Sequence, residues 1–290
     1  SEKTKQRVLE AVRQLDYVPA LTARGLSTRD SKLIGVVVPQ TEPGEHLMFQ
    51  NTFYSEVLGS IEYYARQNGY HILISATDAN ESYQQMKESQ IPIVLIDSYC
   101  NDYYYHNIRI DNAYGSYLAT RYILQNGHRE IAFLVGRLQE NGVMKTRLTG
   151  YQKALAEFGV PYQPDYVLEG QIVYECGVQH ARAIVERHLP VTAAVAAADI
   201  LAIGAMKGFY ALGLRLPDDL SIIGFDDLEI SRYMTPGLTT IKQQISLKGQ
   251  RAVELLLKNI AQPGLTKQEE ILTLELVERE SVRKIKGKEG

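Results

Sequence analysis

Three times along this chain a helix-period segment ends at a glycine and gives way, within two to eight residues, to a run of apolar residues of strand length. Asn68-Gly69 precedes HILIS, Asn126-Gly127 precedes IAFLV, and Leu212-Gly213 precedes SIIGF. Glycine closes a helix readily because it takes the left-handed cap conformation without a Cβ clash. A strand that is apolar at successive positions is covered on both faces, which is the condition of a parallel sheet between helical layers. The cadence predicts an α/β layered fold. The first strand is the run LIGVVV, at 33–38.

Further strands are expected at 71–75, 91–97, 108–110, 131–135, 193–198, 221–225 and 272–276. Helices are expected at about 55–68, 112–125, 146–158, 177–187, 200–212 and 246–259. That is too many strands for one small sheet, and 290 residues suit two compact domains. Between two such domains, beyond the carboxyl ends of the strands, lies the expected ligand cleft.

The N-terminal stretch has a different texture. Ser1 can cap a helix whose apolar positions are Val8, Leu9, Val12 and Leu15, and which ends before Pro19. Residues 20–26 (ALTARGL) offer a second helix too short to be stable alone in water. Residues 1–32 carry a net charge of +3 in a chain whose total is −3, so a basic arm is joined to an acidic body. A polyanion-binding segment and a solvated terminal helix both fit that pattern.

Catalytic signatures are missing. There is no GxxxxGK[ST] loop, no GxGxxG after the first strand and no GxSxG elbow, and the six histidines are scattered. His180 and His188, eight apart, stand more than two turns, about 12 Å, apart along a helix, so no metal site is expected. Asp218-Asp219 after Pro217 reads as turn chemistry, whereas Asp226-Asp227, just past an apolar strand, leaves ligand contact and loop capping both open. Cys100 and Cys176 cannot build a disulfide framework, which fits a reducing cytoplasm. No apolar run approaches the ~20 residues of a membrane span, and no signal-peptide core is present. The expectation is a cytoplasmic protein that is not an enzyme and needs no cofactor.

Several segments, in order, resemble the lactose-repressor (LacI/GalR) family of transcription regulators. These are EKTKQRVLEAVRQLDYVP, YVPALTARGL, LIGVVVPQ, NTFYSEVLGSIEYYARQNGYHILI, IPIVLIDS, NGHREIAFLVG, TRLTGYQKAL, LGLRLPDDLSIIGFDD and LTTIKQ. The resemblance implies two periplasmic-binding-protein-like subdomains with parallel sheets, joined by crossovers around a ligand cleft and preceded by a headpiece remnant and hinge. The expected division is 1–31 for headpiece and hinge, 32–136 with 241–263 for the first subdomain, and 137–240 with 264–290 for the second. The family's base-reading helices have no counterpart here, so the chain is expected to be a fragment that does not bind operator DNA specifically.

The resemblance also implies function: a DNA-binding repressor, homodimeric, controlled by a small-molecule effector, a sugar or sugar derivative. In the full-length protein, Leu26 would wedge into the minor groove while Arg24 and Arg29 meet phosphates. Phe53 and Tyr54 would stack on the effector, Arg147 and Asp226 would bond it, and Asp199 would support the opposite wall. The alternative is a solute-binding module of the same fold with no DNA role. Two departures matter. Ala20 and Ala198 stand where the family usually has asparagine, and the latter removes an amide that could bond an effector hydroxyl. One strand–helix unit of roughly 30 residues is also missing between the strands at 71–75 and 91–97. A mobile segment left out of the chain is expected rather than a true deletion, because losing an interior strand leaves apolar surface unpaired.

Overall fold

The computed structural model describes residues 2–14, 31–40, 51–78, 91–97, 105–139 and 142–285. The basic helix α1 spans Glu2–Gln14. The hinge positions Arg24, Leu26 and Arg29 lie outside the described residues, as does most of the interval of the missing unit.

The first strands are β1 (Leu33–Gln40) and β2 (His71–Asp78), parallel and in register from Leu33 against His71. Helix α2 (Thr52–Gln67) connects them, its N-terminus capped by the Asn51 side chain, which accepts from the Phe53 N–H at 3.0 Å. A second parallel sheet has the order β10–β4–β3, from Glu269–Leu272, His106–Ile110 and Val94–Ile96. Among the described residues these two sheets are not hydrogen-bonded to each other.

The third sheet has six strands in the order β11–β9–β8–β7–β5–β6. Their ranges are Glu275–Val277, Thr239–Lys242, Ser221–Asp226, Ala193–Ala196, Ile131–Gly136 and Val167–Gly170. Only the edge strand β11 runs antiparallel to its neighbour. Strands β5, β7 and β8 are buried at every position, as their unbroken apolar runs require. Helices α3 (Asn112–Gln125) and α4 (Val143–Glu157) contribute to the core on one face of this sheet, α5 (Tyr174–Glu186) and α6 (Asp199–Ala211) to the core on the other. Gly150 lets α3 and α4 touch: a Cβ there would stand 2.0 Å from the Ala113 carbonyl oxygen.

This pairing divides the chain differently from the expected boundaries. The expected division puts 131–136 in the first subdomain, but β5 is an interior strand of the six-stranded sheet, held between β6 and β7. The first crossover therefore comes at Asp111, which ends β4 and caps α3 by accepting from the Tyr114 N–H at 2.9 Å. Strand β9 also belongs to the large sheet, and helix α7 (Ile245–Ala261) returns to lie beside α2, where a Cβ on Gly249 would meet the Ser60 side chain. The single strand expected at 272–276 is two: β10 joins β4, and three residues later β11 joins β9.

Candidate functional site

The three crossovers bring the carboxyl ends of the strands together around a cavity of about 520 Å³. That size suits a small organic ligand. One wall is apolar, from Val36 and Val38 of β1 and from Phe53, Tyr54 and Val57 of α2. The Phe53 and Tyr54 rings meet edge to face, with centroids 5.6 Å apart. Both are half-buried, packing against core residues while lining the cavity. Core packing and ligand contact are thus not exclusive for these two side chains.

The opposite side is polar. Arg147, on the second turn of α4, is 5% exposed and donates from Nε to Asn112 Oδ1 at 2.8 Å and from Nη1 to the Ala197 carbonyl. Its guanidinium lies 3.7 Å from the Phe225 ring centroid and 3.7 Å from Asp226 Oδ1. Asp226 ends β8 with φ of 132°, a region that side chains other than glycine's rarely occupy. Burial pushes its carboxyl up to about 7; Arg147 opposes the rise and the neighbouring Asp199 adds to it.

Asp97 follows β3 at a φ of 51°, Gln243 follows β9, and Lys248 lies on α7. Lys248 Nζ donates to Asp97 Oδ2 at 2.5 Å and to Gln243 Oε1 at 2.8 Å, and Gln243 Nε2 donates to Asp226 Oδ1. A continuous polar chain therefore runs from the end of β3, through the crossover after β9, to the end of β8.

Of the five expected effector residues, Phe53, Tyr54, Arg147 and Asp226 line the cavity together. Asp199 does not. It is fully buried at the start of α6, and its carboxylate accepts from the Leu228 N–H at 2.9 Å, Ser231 Oγ at 2.7 Å and Thr240 Oγ1 at 2.6 Å. Gly224 is required beside it, since a Cβ there would come within 2.1 Å of Asp199 Oδ1. Asp199 ties β8 and β9 to α6 and acts on the cleft only by holding its frame. Asp227 turns away and accepts from Arg279 Nη2 at 2.6 Å, so the Asp226-Asp227 pair splits into one cleft residue and one loop anchor. Ala198 lines the cavity and offers α6 no side-chain cap.

Sequence reasoning passed over Asp97, Asn112, Gln243 and Lys248. Asp97 and Gln243 follow strands just as Asp226 does, so the same end-of-strand rule could have found them. Lys248 is a lysine on the apolar stripe that Ile245, Ala252 and Leu255 form on α7, itself a signal of a buried charge with a partner.

Comparison with known proteins gives this geometry a family. Residues 120–282 match the periplasmic binding protein-like domain. The ribose operon repressor of Haemophilus influenzae is 30% identical, with 99% of this chain and 92% of the relative covered. A transcriptional repressor named PurR from Vibrio campbellii is 31% identical over 98% of this chain and 91% of its own length. The crystal structure of a LacI-family regulator from Enterococcus faecium with bound ribose superposes with a TM-score of 0.78, at 25% identity, over 88% of this chain and 100% of that one. This chain belongs to the LacI family of transcriptional regulators. The match of this LacI-family chain to the ribose operon repressor runs over 313 positions, more than its own 290 residues, so the relative carries residues inside the aligned range that this chain lacks. No helix among the described residues is long and apolar enough to cross a membrane.

Proposed function

We propose that this chain is the effector-binding part of a cytoplasmic, homodimeric transcriptional repressor, without enzymatic activity, whose cleft binds a sugar. One observation carries the reading: aromatic rings on α2 face a buried arginine–carboxylate pair across a cavity of about 520 Å³. A pyranose or furanose ring presents C–H faces that stack on aromatics and hydroxyls that need paired donors and acceptors, and the cleft supplies both. The ribose-bound relative supports the same ligand class. Effector binding would change how the two subdomains sit about the three crossovers, and with them the hinge segment and the DNA-facing residues Arg24, Leu26 and Arg29.

A thermal-shift screen of sugars, sugar phosphates and purines tests the ligand class. Sugars are expected to raise the unfolding temperature, and stabilisation by purines alone would overturn the assignment. Sedimentation at micromolar concentration should give twice the 32.6 kDa of one chain, and a monomer would contradict the dimer.

A further inference from the structure

The loop that carries Asp226 reaches across to the opposite wall of the cleft. After Asp226 and Asp227, both at positive φ, Leu228 enters an apolar cluster built from both subdomains. There Leu228 and Ile200 meet Val57 and Ile61 of α2 and Ile245 and Val253 of α7. Glu229 then opens the short 3₁₀ helix Glu229–Tyr233, whose N-terminus has no side-chain cap of its own. The first N–H groups of a helix have no partner inside it. That of Glu229 donates instead to Glu56 Oε1 on α2, at 2.9 Å and 173 positions away in the chain. Glu56 stands three positions after Phe53, beside it on the helix surface.

A second cavity, of about 430 Å³, surrounds this contact, and none of its described lining residues lines the effector cleft. Its two arginines are paired elsewhere, Arg232 with Glu229 at 2.7 Å and Arg279 with Asp227 at 2.6 Å. Glu56 is half-buried, and burial pushes its carboxyl above the ordinary glutamate range. The Glu229 N–H opposes that rise, and the carboxyls of Glu229, Asp199 and Asp227 add to it. An acid facing three others is held there by the hydrogen bond it accepts. What Glu56 contributes is therefore an acceptor rather than a charge.

We infer that Glu56 is a positioning residue for the effector: by accepting from the Glu229 N–H it holds the helix that carries Phe53 and Tyr54 to the loop that carries Asp226, and so fixes the separation of the two walls of the cleft. This rests on the sugar reading of that cleft. Glu56 lines the second cavity and not the first, so it acts on a ligand only through those walls. An uncharged acceptor of the same length should serve as well.

The test is calorimetric titration of the whole chain with D-ribose and D-glucose. Glu56→Ala should weaken the tighter-binding sugar about fivefold or more, the worth of one hydrogen bond. Glu56→Gln keeps the acceptor and loses the repulsion from Glu229, Asp199 and Asp227, so its affinity should stay within about twofold of the parent's. Glu229→Pro removes the donor instead. Proline suits a first helical position, and Leu228 before it already has a ψ of 148°, as a residue preceding proline requires. That variant should also lose about fivefold or more, and adding Glu56→Ala to it should cost less than about twofold further, since both changes delete one contact. Unchanged affinity in Glu56→Ala, an equal loss in Glu56→Gln, or additive losses in the double variant would overturn the inference and leave the sugar reading in place. If neither sugar binds the parent, the sugar reading fails and takes the inference with it.

Discussion

Replacing Arg147 with methionine should destabilise the protein in a pH-dependent way whose sign follows from Asp226. The guanidinium donates two hydrogen bonds and stands 3.7 Å from the Asp226 carboxyl, both groups being about 5% exposed. Breaking a buried pair by deleting one partner costs about 3–5 kcal/mol when the other stays charged. Asp226 need not stay charged, because burial already raises its carboxyl to about 7. A carboxyl raised on folding binds its proton more tightly in the native state, so native stability falls as pH rises from the ordinary carboxylate range to about 7 and levels off above it. Without Arg147 the carboxyl rises further, and the fall continues past pH 7. At pH 8, where the pair is charged in the parent, the loss should approach the full 3–5 kcal/mol. At pH 6, where Asp226 is already mostly protonated, only the guanidinium's hydrogen bonds to two neutral carbonyl oxygens are lost, about 1.5–3 kcal/mol. With about 2–4 °C of unfolding temperature per kcal/mol, the two pH values should differ by several degrees in differential scanning calorimetry. Equal destabilisation at pH 6 and pH 8 would refute the coupling between Arg147 and Asp226.

Three other substitutions separate the roles of neighbouring residues. Arg147→Ala should weaken effector binding about ten- to hundredfold, the worth of a charge-assisted hydrogen bond, as read by calorimetry with the sugar the thermal-shift screen identifies. Asp199→Ala should lower stability by about 3–5 kcal/mol, because it strands three buried donors; effector affinity in the surviving folded protein should change less than threefold, and a larger change would return Asp199 to the binding wall. Gly150→Ala should cost at least 1–3 kcal/mol in chemical denaturation, since α3 must move away from a Cβ that would otherwise sit 2.0 Å from the Ala113 carbonyl.

The element types in this chain are set by local chemistry and can be read from it. The apolar runs IAFLV and SIIGF are strands buried on both faces, and the glycines before them, Gly127 and Gly213, adopt positive φ as helix-ending glycines do. The aromatic pair Phe53 and Tyr54, the arginine of TRLTG and the first aspartate of GFDD are pointed out as cleft residues by the resemblance to the LacI family, and only Asp226 also stands at the end of an apolar strand. Which sheet each strand joins is another matter. The strand 131–136 follows the same helix–glycine cadence as 71–78, yet one is an interior strand of the six-stranded sheet and the other pairs with β1. Strand–strand pairing is long-range, and a buried apolar run carries no mark of the neighbour it will have.

The same limit divides the two aspartates at 199 and 226. Both stand at the C-terminal end of the large sheet, one just beyond β7 and one closing β8, but only the backbone turn at φ 132° aims Asp226 into the cavity, while Thr240, Ser231 and Leu228 surround Asp199. Lys248 shows the reverse case, a charge on an apolar helix face whose partners, Asp97 and Gln243, lie 151 and 5 positions away in the chain. The sequence by itself determined the layers and the apolar strands, because those depend on short-range periodicity, while the cleft residues came from its resemblance to a known family. Tertiary structure alone decided strand partners, the crossover at Asp111 and the pairing of each buried charge, because these depend on which distant groups folding brings within hydrogen-bond reach.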